Sequence, residues 1–181
     1  MSVSPVQFRH DVNDELRGRK IAGTGHRPQK LGGFGEAANS TLRRFATAWL
    51  ETLAPQCVIS GMALGWDQAL AQAAVDLDIP FVAAVPFEGQ ESRWPESSQR
   101  EYQALLGHAS DVVVVSSGSF SARSMQVRNE WMTDRCDLLL ALYNGSASGT
   151  GNGIRYADET GRDVLNLWAS WQVFVRALAY G

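Results

Sequence analysis

Four runs in this 181-residue sequence combine glycines with hydroxyl, amide and charged side chains, the residue types that hold an anion or a polar small molecule. The first is Gly23-Thr24-Gly25-His26-Arg27-Pro28, continuing through Gln29-Lys30-Leu31-Gly32-Gly33-Phe34-Gly35. Glycine lets the backbone come close to a ligand, and free amides, the Thr24 hydroxyl and the Arg27 fork can together hold an anion. It is neither a dinucleotide fingerprint, since Pro28 stands where GxGxxG needs its last glycine, nor a P-loop, since no Gly-Lys-Ser/Thr follows. The second run, Ser60-Gly61-Met62-Ala63-Leu64-Gly65-Trp66-Asp67, permits a tight turn that aims amides and a helix dipole at one point, a pocket for phosphate or carboxylate. Asp67 there either complements the dipole or accepts hydrogen bonds from a ribose hydroxyl or a base amine.

The third run is Pro86-Phe87-Glu88-Gly89-Gln90-Glu91-Ser92-Arg93-Trp94-Pro95. Phe87 or Trp94 can stack on a base or anchor the packing, and the spacing gives Glu88 and Glu91 no partner for general-base work. The fourth places Arg128 and Asn129 near the start of a helix, where a charged fork reaches over strand ends. It is followed by Tyr143 to Gly153, in which Asn144, Gly149, Thr150 and Gly151 offer a second anion cradle.

Six β-branched, nearly continuous apolar segments must position these loops: Lys20 to Gly23, Cys57 to Ser60, Pro80 to Val85, Asp111 to Ser116, Asp137 to Leu142 and Asp163 to Trp168. Such runs read as parallel strands buried on both faces. Helical spacing separates them. Leu42, Phe45, Ala46, Trp49, Leu50 and Leu53 form a stripe after candidate caps Asn39 and Ser40, and Trp66, Ala69, Leu70, Ala73, Ala74 and Leu77 form a second. Weaker helical patterns cover Glu96 to Leu106, Ser124 to Arg135, about Ile154 to Thr160, and Ser170 to Tyr180. Strand and helix alternate, which predicts an α/β fold, a three-layer, doubly wound, mostly parallel sheet whose ligands sit outside the carboxyl ends of the strands.

The chain is long enough for one domain, residues 1–181 with a loosely organised lead-in over 1–18, and 45% hydrophobic residues can fill its core. Sixteen basic against 19 acidic side chains, net charge -3, argue against avid sequence-blind binding to duplex nucleic acid. Cys57 and Cys136 lie in apolar stretches and read as a buried, reduced pair; with no CxxC and no clustered histidines, no metal site is expected. No apolar run nears the ~18 residues that span a bilayer, and the N-terminus lacks a signal pattern, so a cytoplasmic protein without membrane partner is expected.

Taken in order, these blocks resemble the SLOG superfamily, the Rossmann-like fold shared by DNA-processing protein A and the lonely-guy phosphoribohydrolases, and most of all its YpsA-like branch. Gly23 to Pro28, Ser60 to Asp67, Pro86-Phe87 with Gln90 and Trp94, Arg128 to Met132, Ala141 to Gly145 and Gly149-Thr150-Gly151 carry the resemblance, which spans about Lys20 to Trp168. It implies a pocket for a nucleotide or nucleotide-derived ligand, with phosphate at the glycine turns, no separate cofactor, and a homodimer. Gly61, Gly65 and Asp67 match the turn of the DNA-processing proteins. Gly149-Thr150 matches the phosphate-binding pair of the lonely-guy enzymes, and Arg128 the arginine tied to their catalytic site. Those hydrolases carry PGGxGTxxE, whose final Glu stabilises charge developing on the ribose. Here Asn144-Gly145-Ser146 replaces its start and Gly153 stands at the Glu position, which removes that charge. The expectation is a binding module that senses or sequesters its ligand. The alternatives are a hydrolase of such a ligand, through Asp67 or Glu88 with Arg128, and a single-strand DNA-binding or protein-interaction module.

Overall fold

The structure, a computed structural model, describes residues 14–180, so most of the expected lead-in lies outside the described residues. Its last part, Asp14–Leu16, is a single 3-10 turn, and the Gly18 amide donates to the Leu53 carbonyl.

Six parallel strands form one sheet: β1 (Lys20–Gly25), β2 (Cys57–Ser60), β3 (Phe81–Val85), β4 (Asp111–Val114), β5 (Leu138–Leu142) and β6 (Asp163–Asn166), in the order β4-β3-β2-β1-β5-β6. The chain runs outward from β1 to β4 and then returns to the other side of β1, so the topological switch lies between β1 and β5. Crevices in doubly wound sheets open at the carboxyl ends of such a pair. β5, Leu-Leu-Leu-Ala-Leu, is buried at every position because helices cover both of its faces. β4 and β6 are edge strands and are not buried on both faces as expected; Val112 and Val114 are 43% and 46% exposed.

The helices are α1 (Glu36–Leu53), α2 (Trp66–Asp76), α3 (Glu96–His108), α4 (Ala122–Arg135), α5 (Gly149–Glu159) and α6 (Trp168–Tyr180). The larger core lies between the sheet and α1, α2 and α6, where the Phe45 ring meets Trp49, Trp66, Trp171 and Phe174. The apolar C-terminal stretch thus buries Trp171 and Phe174 in its own chain. On the other face Ala22, Ile59, Ala84, Met132, Cys136, Leu139 and Ala157 pack between the sheet and α4 and α5.

α4 and α6 each begin two residues before the expected start, at Ala122 and Trp168, and two other helix starts differ by more. α1 begins at Glu36, because Gly35 at φ +119° makes the break and the Asn39 amide already donates to the Gly35 carbonyl; Asn39 and Ser40 sit inside the helix. α5 begins at Gly149, not near Ile154. The Ser148 hydroxyl accepts from the Gly151 amide as an N-cap, and packing overrides the poor helix propensity of three glycines: a Cβ at Gly151 would lie 2.6 Å from the Tyr143 hydroxyl.

Candidate functional site

A cavity of about 360 Å³ opens at the switch point. The end of β1 contributes Thr24 and Gly25, and the loop after it His26, Arg27, Gln29 and Lys30; α2 contributes Asp67; α4 contributes Met125, Arg128 and Asn129; the start of α5 contributes Ser148, Gly149 and Thr150. The two helix layers meet here over the end of β1. Gly23 and Gly25 turn toward α2, where a Cβ would run into Leu70 and Trp66 at 2.5 Å, while Thr24 Oγ1 faces Gly153 of α5.

Arg128 crosses between the layers. It is 5% exposed, donates through Nη1 to the Gly61 carbonyl and through Nε to Asn129 Oδ1 at 3.0 Å, and lies 3.9 Å from Asp67 Oδ2. Asn129 Nδ2 in turn donates to the Gly149 carbonyl at 3.3 Å, linking Arg128 to the α5 N-terminus. Asp67 is as deeply buried. Burial raises its carboxyl above the ordinary carboxylate value, and Arg128, then Arg27, oppose that shift; burial likewise lowers Arg128.

In the turn Ser60 to Gly65 part of the donors are spent within the chain, while Gly61 N, Leu64 N and Gly65 N have no acceptor among the described residues. Met62 N donates to Ser60 Oγ, Ala63 N to Asp67 Oδ2, Trp66 N to the His26 carbonyl and Gln68 N to the Ala63 carbonyl. Gly61 is needed for Arg128, since a Cβ there would stand 2.1 Å from Nη1. Gly65, at φ +97°, lets His26 approach, and a Cβ would stand 2.6 Å from the His26 carbonyl oxygen. Free amides that line the cavity stand at the start of α5. Gly149 N and Thr150 N have no partner among the described residues, as expected for a first helical turn whose third amide goes to Ser148.

Of the residues picked out by sequence, Thr24, Gly25, His26, Arg27, Asp67, Arg128, Asn129, Gly149 and Thr150 come together at the cavity. Gly23, Ser60, Gly61, Met62, Gly65, Pro86, Phe87, Asn144 and Gly151 do not line it. Phe87 is buried edge-on to Phe120, and Trp94 packs edge-on to Tyr102, so both rings anchor packing. Their loop reaches the site through Gln90, whose Nε2 donates to the Gly61 carbonyl at 3.2 Å. Glu88 is exposed, and Glu91 accepts from Gln103.

Asn144 braces the wall. His26 Nε2 lies 3.0 Å from the Asn144 amide N, which donates to it, and 2.7 Å from Asn144 Oδ1, which also accepts from Ser146 N and Oγ. The first contact needs Nε2 bare and the second needs it protonated, so the tautomer and protonation state of the ring decide which one holds. Burial lowers the His26 pKa below its ordinary value, with Asn144 opposing. Lys30 completes this strut by donating to Ser146 Oγ.

Four cavity residues were missed by sequence reasoning: Gln29, Lys30, Met125 and Ser148. Helical spacing could have found Met125, one turn before Arg128 and Asn129, and a cap position before Gly149 could have found Ser148. Gln29 and Lys30 lie in the first glycine-rich run and reach the cavity through a 3-10 turn, Pro28–Lys30.

A parallel sheet with a cation-lined crevice at its switch point defines a Rossmann-like domain. The model of the YspA SLOG family matches residues 21–157, and the chain belongs to that family. It is 34% identical over 118 residues to the uncharacterized SPbeta prophage-derived protein YoqJ of Bacillus subtilis (strain 168), covering 56% of this chain and 69% of that one. It is 26% identical over 166 residues to a UPF0398 protein of Bacillus thuringiensis (strain Al Hakam), covering 85% and 90%. Among solved structures, DNA processing protein A from Streptococcus pneumoniae superposes with TM-score 0.57 at 21% identity over 83% of this chain; the chain spans only 50% of that protein. DNA processing protein A from Helicobacter pylori, a single-stranded DNA binder, gives 0.58 at 16% identity, covering 85% and 67%. At these identities the likeness shows the fold. Among the described residues, no helix is long and apolar enough to cross a membrane.

Proposed function

We propose that this protein binds a nucleotide or nucleotide-derived phosphorylated molecule in the cavity at the β1/β5 switch, as a cytoplasmic sensing or sequestering module that works as a homodimer. One observation carries the reading: Arg27, Lys30 and Arg128 face the cavity with Asp67 as the one acid among its lining residues, beside two free amides of α5. Cations and helix N-terminal amides in a concave site favour a phosphate-sized anion. Binding is favoured over turnover because Gly153 supplies no carboxylate, and Glu88 stands outside the cavity.

The test is a thermal-shift panel of nucleoside mono- and diphosphates, ADP-ribose and cyclic nucleotides, followed by chromatography of the ligand. A true ligand at 100 times its Kd should add about 2.7 kcal/mol of stability and be recovered intact. A new product peak would move the assignment to a hydrolase, and a panel without any shift would end it.

A second reading, single-strand DNA binding, draws on two exposed rings. Phe34 and Phe120, 63% and 68% exposed, lie on loops leaving β1 and β4 at the cavity end of the sheet. Exposed rings beside cations can stack bases. Salt-sensitive binding of an oligothymidylate, weakened by Phe120→Ser, would favour this reading.

A further inference from the structure

We infer that the Asp67 end of the cavity is built for an uncharged, hydroxyl-bearing part of the ligand, so that the unit recognised is a phosphorylated pentose, with Asp67 selecting it. This rests on the nucleotide-binding reading and narrows it.

Asp67 is 5% exposed and lines the cavity. Its Oδ2 accepts from the Ala63 amide at 3.4 Å and faces Arg128, while Oδ1 takes no hydrogen bond from any described residue. No buried side-chain oxygen among the described residues lacks a partner, so Oδ1 is the carboxylate oxygen open to the cavity, where a ligand donor can bond it. A phosphate oxygen cannot, because two anions repel. A hydroxyl can. Beside it Arg128 commits Nη1 to the Gly61 carbonyl and Nε to Asn129, which leaves Nη2 as a donor at the same wall. An acceptor next to a donor matches neighbouring hydroxyls, each of which both donates and accepts.

The edge of a base offers a similar pattern, but its flat faces need apolar or aromatic cover. Among the lining residues the one ring is the His26 imidazole, already packed against Tyr143 and Trp168, and the one apolar side chain beyond glycine is Met125. The walls therefore suit a sugar better than a base. The anion end is supplied from the opposite layer, by the free Gly149 and Thr150 amides with Lys30 close by. Asp67 belongs to α2 and these amides to α5, so the ligand's hydroxyls and phosphate are held by different layers of the domain.

Calorimetric titration of the full chain with ribose 5-phosphate, n-butyl phosphate, inorganic phosphate and AMP tests this. Ribose 5-phosphate should bind on the order of tenfold tighter than butyl phosphate, which carries the charge without the hydroxyls. In Asp67→Asn that preference should vanish while inorganic phosphate binds at least as well as before. Equal affinity of the unmodified protein for ribose 5-phosphate and butyl phosphate would overturn the inference, and needs no variant to fold. AMP binding without that preference would leave the nucleotide reading standing and remove this one. Failure of every phosphorylated ligand would remove both.

Discussion

Arg128 concentrates the site's electrostatics in one side chain. A buried guanidinium needs acceptors and a counter-charge, and Arg128 has the Gly61 carbonyl on Nη1, Asn129 on Nε and the Asp67 carboxylate nearby. Arg128→Ala would leave Asp67 buried without its cation. We expect a loss of about 3–5 kcal/mol in urea unfolding, the usual cost of breaking one side of a buried pair, and loss of phosphate-ligand binding in calorimetry. If the variant keeps its stability, the pair is not the internal strut described. His26 adds a pH signature. Its folded pKa is below the ordinary ~6.5, mainly through burial, so between the two values the unfolded chain binds more protons. Stability should therefore fall as pH drops below about 6.5 and level off beneath the folded pKa. The slope should flatten in His26→Gln when unfolding is followed from pH 7.5 to 5.

At the scale of elements, the glycines of β1 serve packing as much as any ligand. Gly25 lies against Trp66, which is fully buried and donates through its indole to the Leu140 carbonyl at 3.2 Å. A methyl at Gly25 would stand 2.5 Å from Trp66 Cβ and Cδ1. We expect Gly25→Ala to cost roughly 1–3 kcal/mol by overpacking, and to weaken ligand binding because α2 carries Asp67. A thermal melt alongside titration checks both, and an unchanged melt would show that α2 can back away freely. The same closeness explains what was legible locally. Periodicity found the apolar stripes of α1 and α2, since those faces must be buried. It missed the start of α5, because a glycine run reads as loop, although Ser148 caps it and Tyr143 packs against Gly151 so closely that a Cβ would not fit.

At the scale of the whole molecule, the two cores lie on opposite faces of one sheet, and opening either should expose both if the domain unfolds as a unit. Cys136 reports on the α4/α5 side: it is 1% exposed, and burial pushes its thiol up to about 11. It should resist a thiol reagent at pH 7.5 until global unfolding, at a rate that rises with denaturant in step with tryptophan fluorescence. Labelling well before the fluorescence change would mean that the α4/α5 layer opens alone, and with it the wall that carries Arg128 and the α5 amides.

The amino-acid sequence by itself determined the alternation of strands and helices, the parallel sheet and the loops where polar groups gather, because burial period and turn chemistry are local properties of the chain. It also singled out Arg128 and Asp67. Only the tertiary structure decided which polar groups remain available to a ligand. Met62 N, Ala63 N and Trp66 N are taken by Ser60, Asp67 and His26, whereas the amides of Gly149 and Thr150 are left open at the cavity, and Phe87 and Trp94 turn inward while Lys30 turns to the cavity. The reason is physical: whether a donor is free depends on which acceptor the fold brings within 3 Å or so of it, and for Trp66 N that acceptor, the His26 carbonyl, belongs to a different loop.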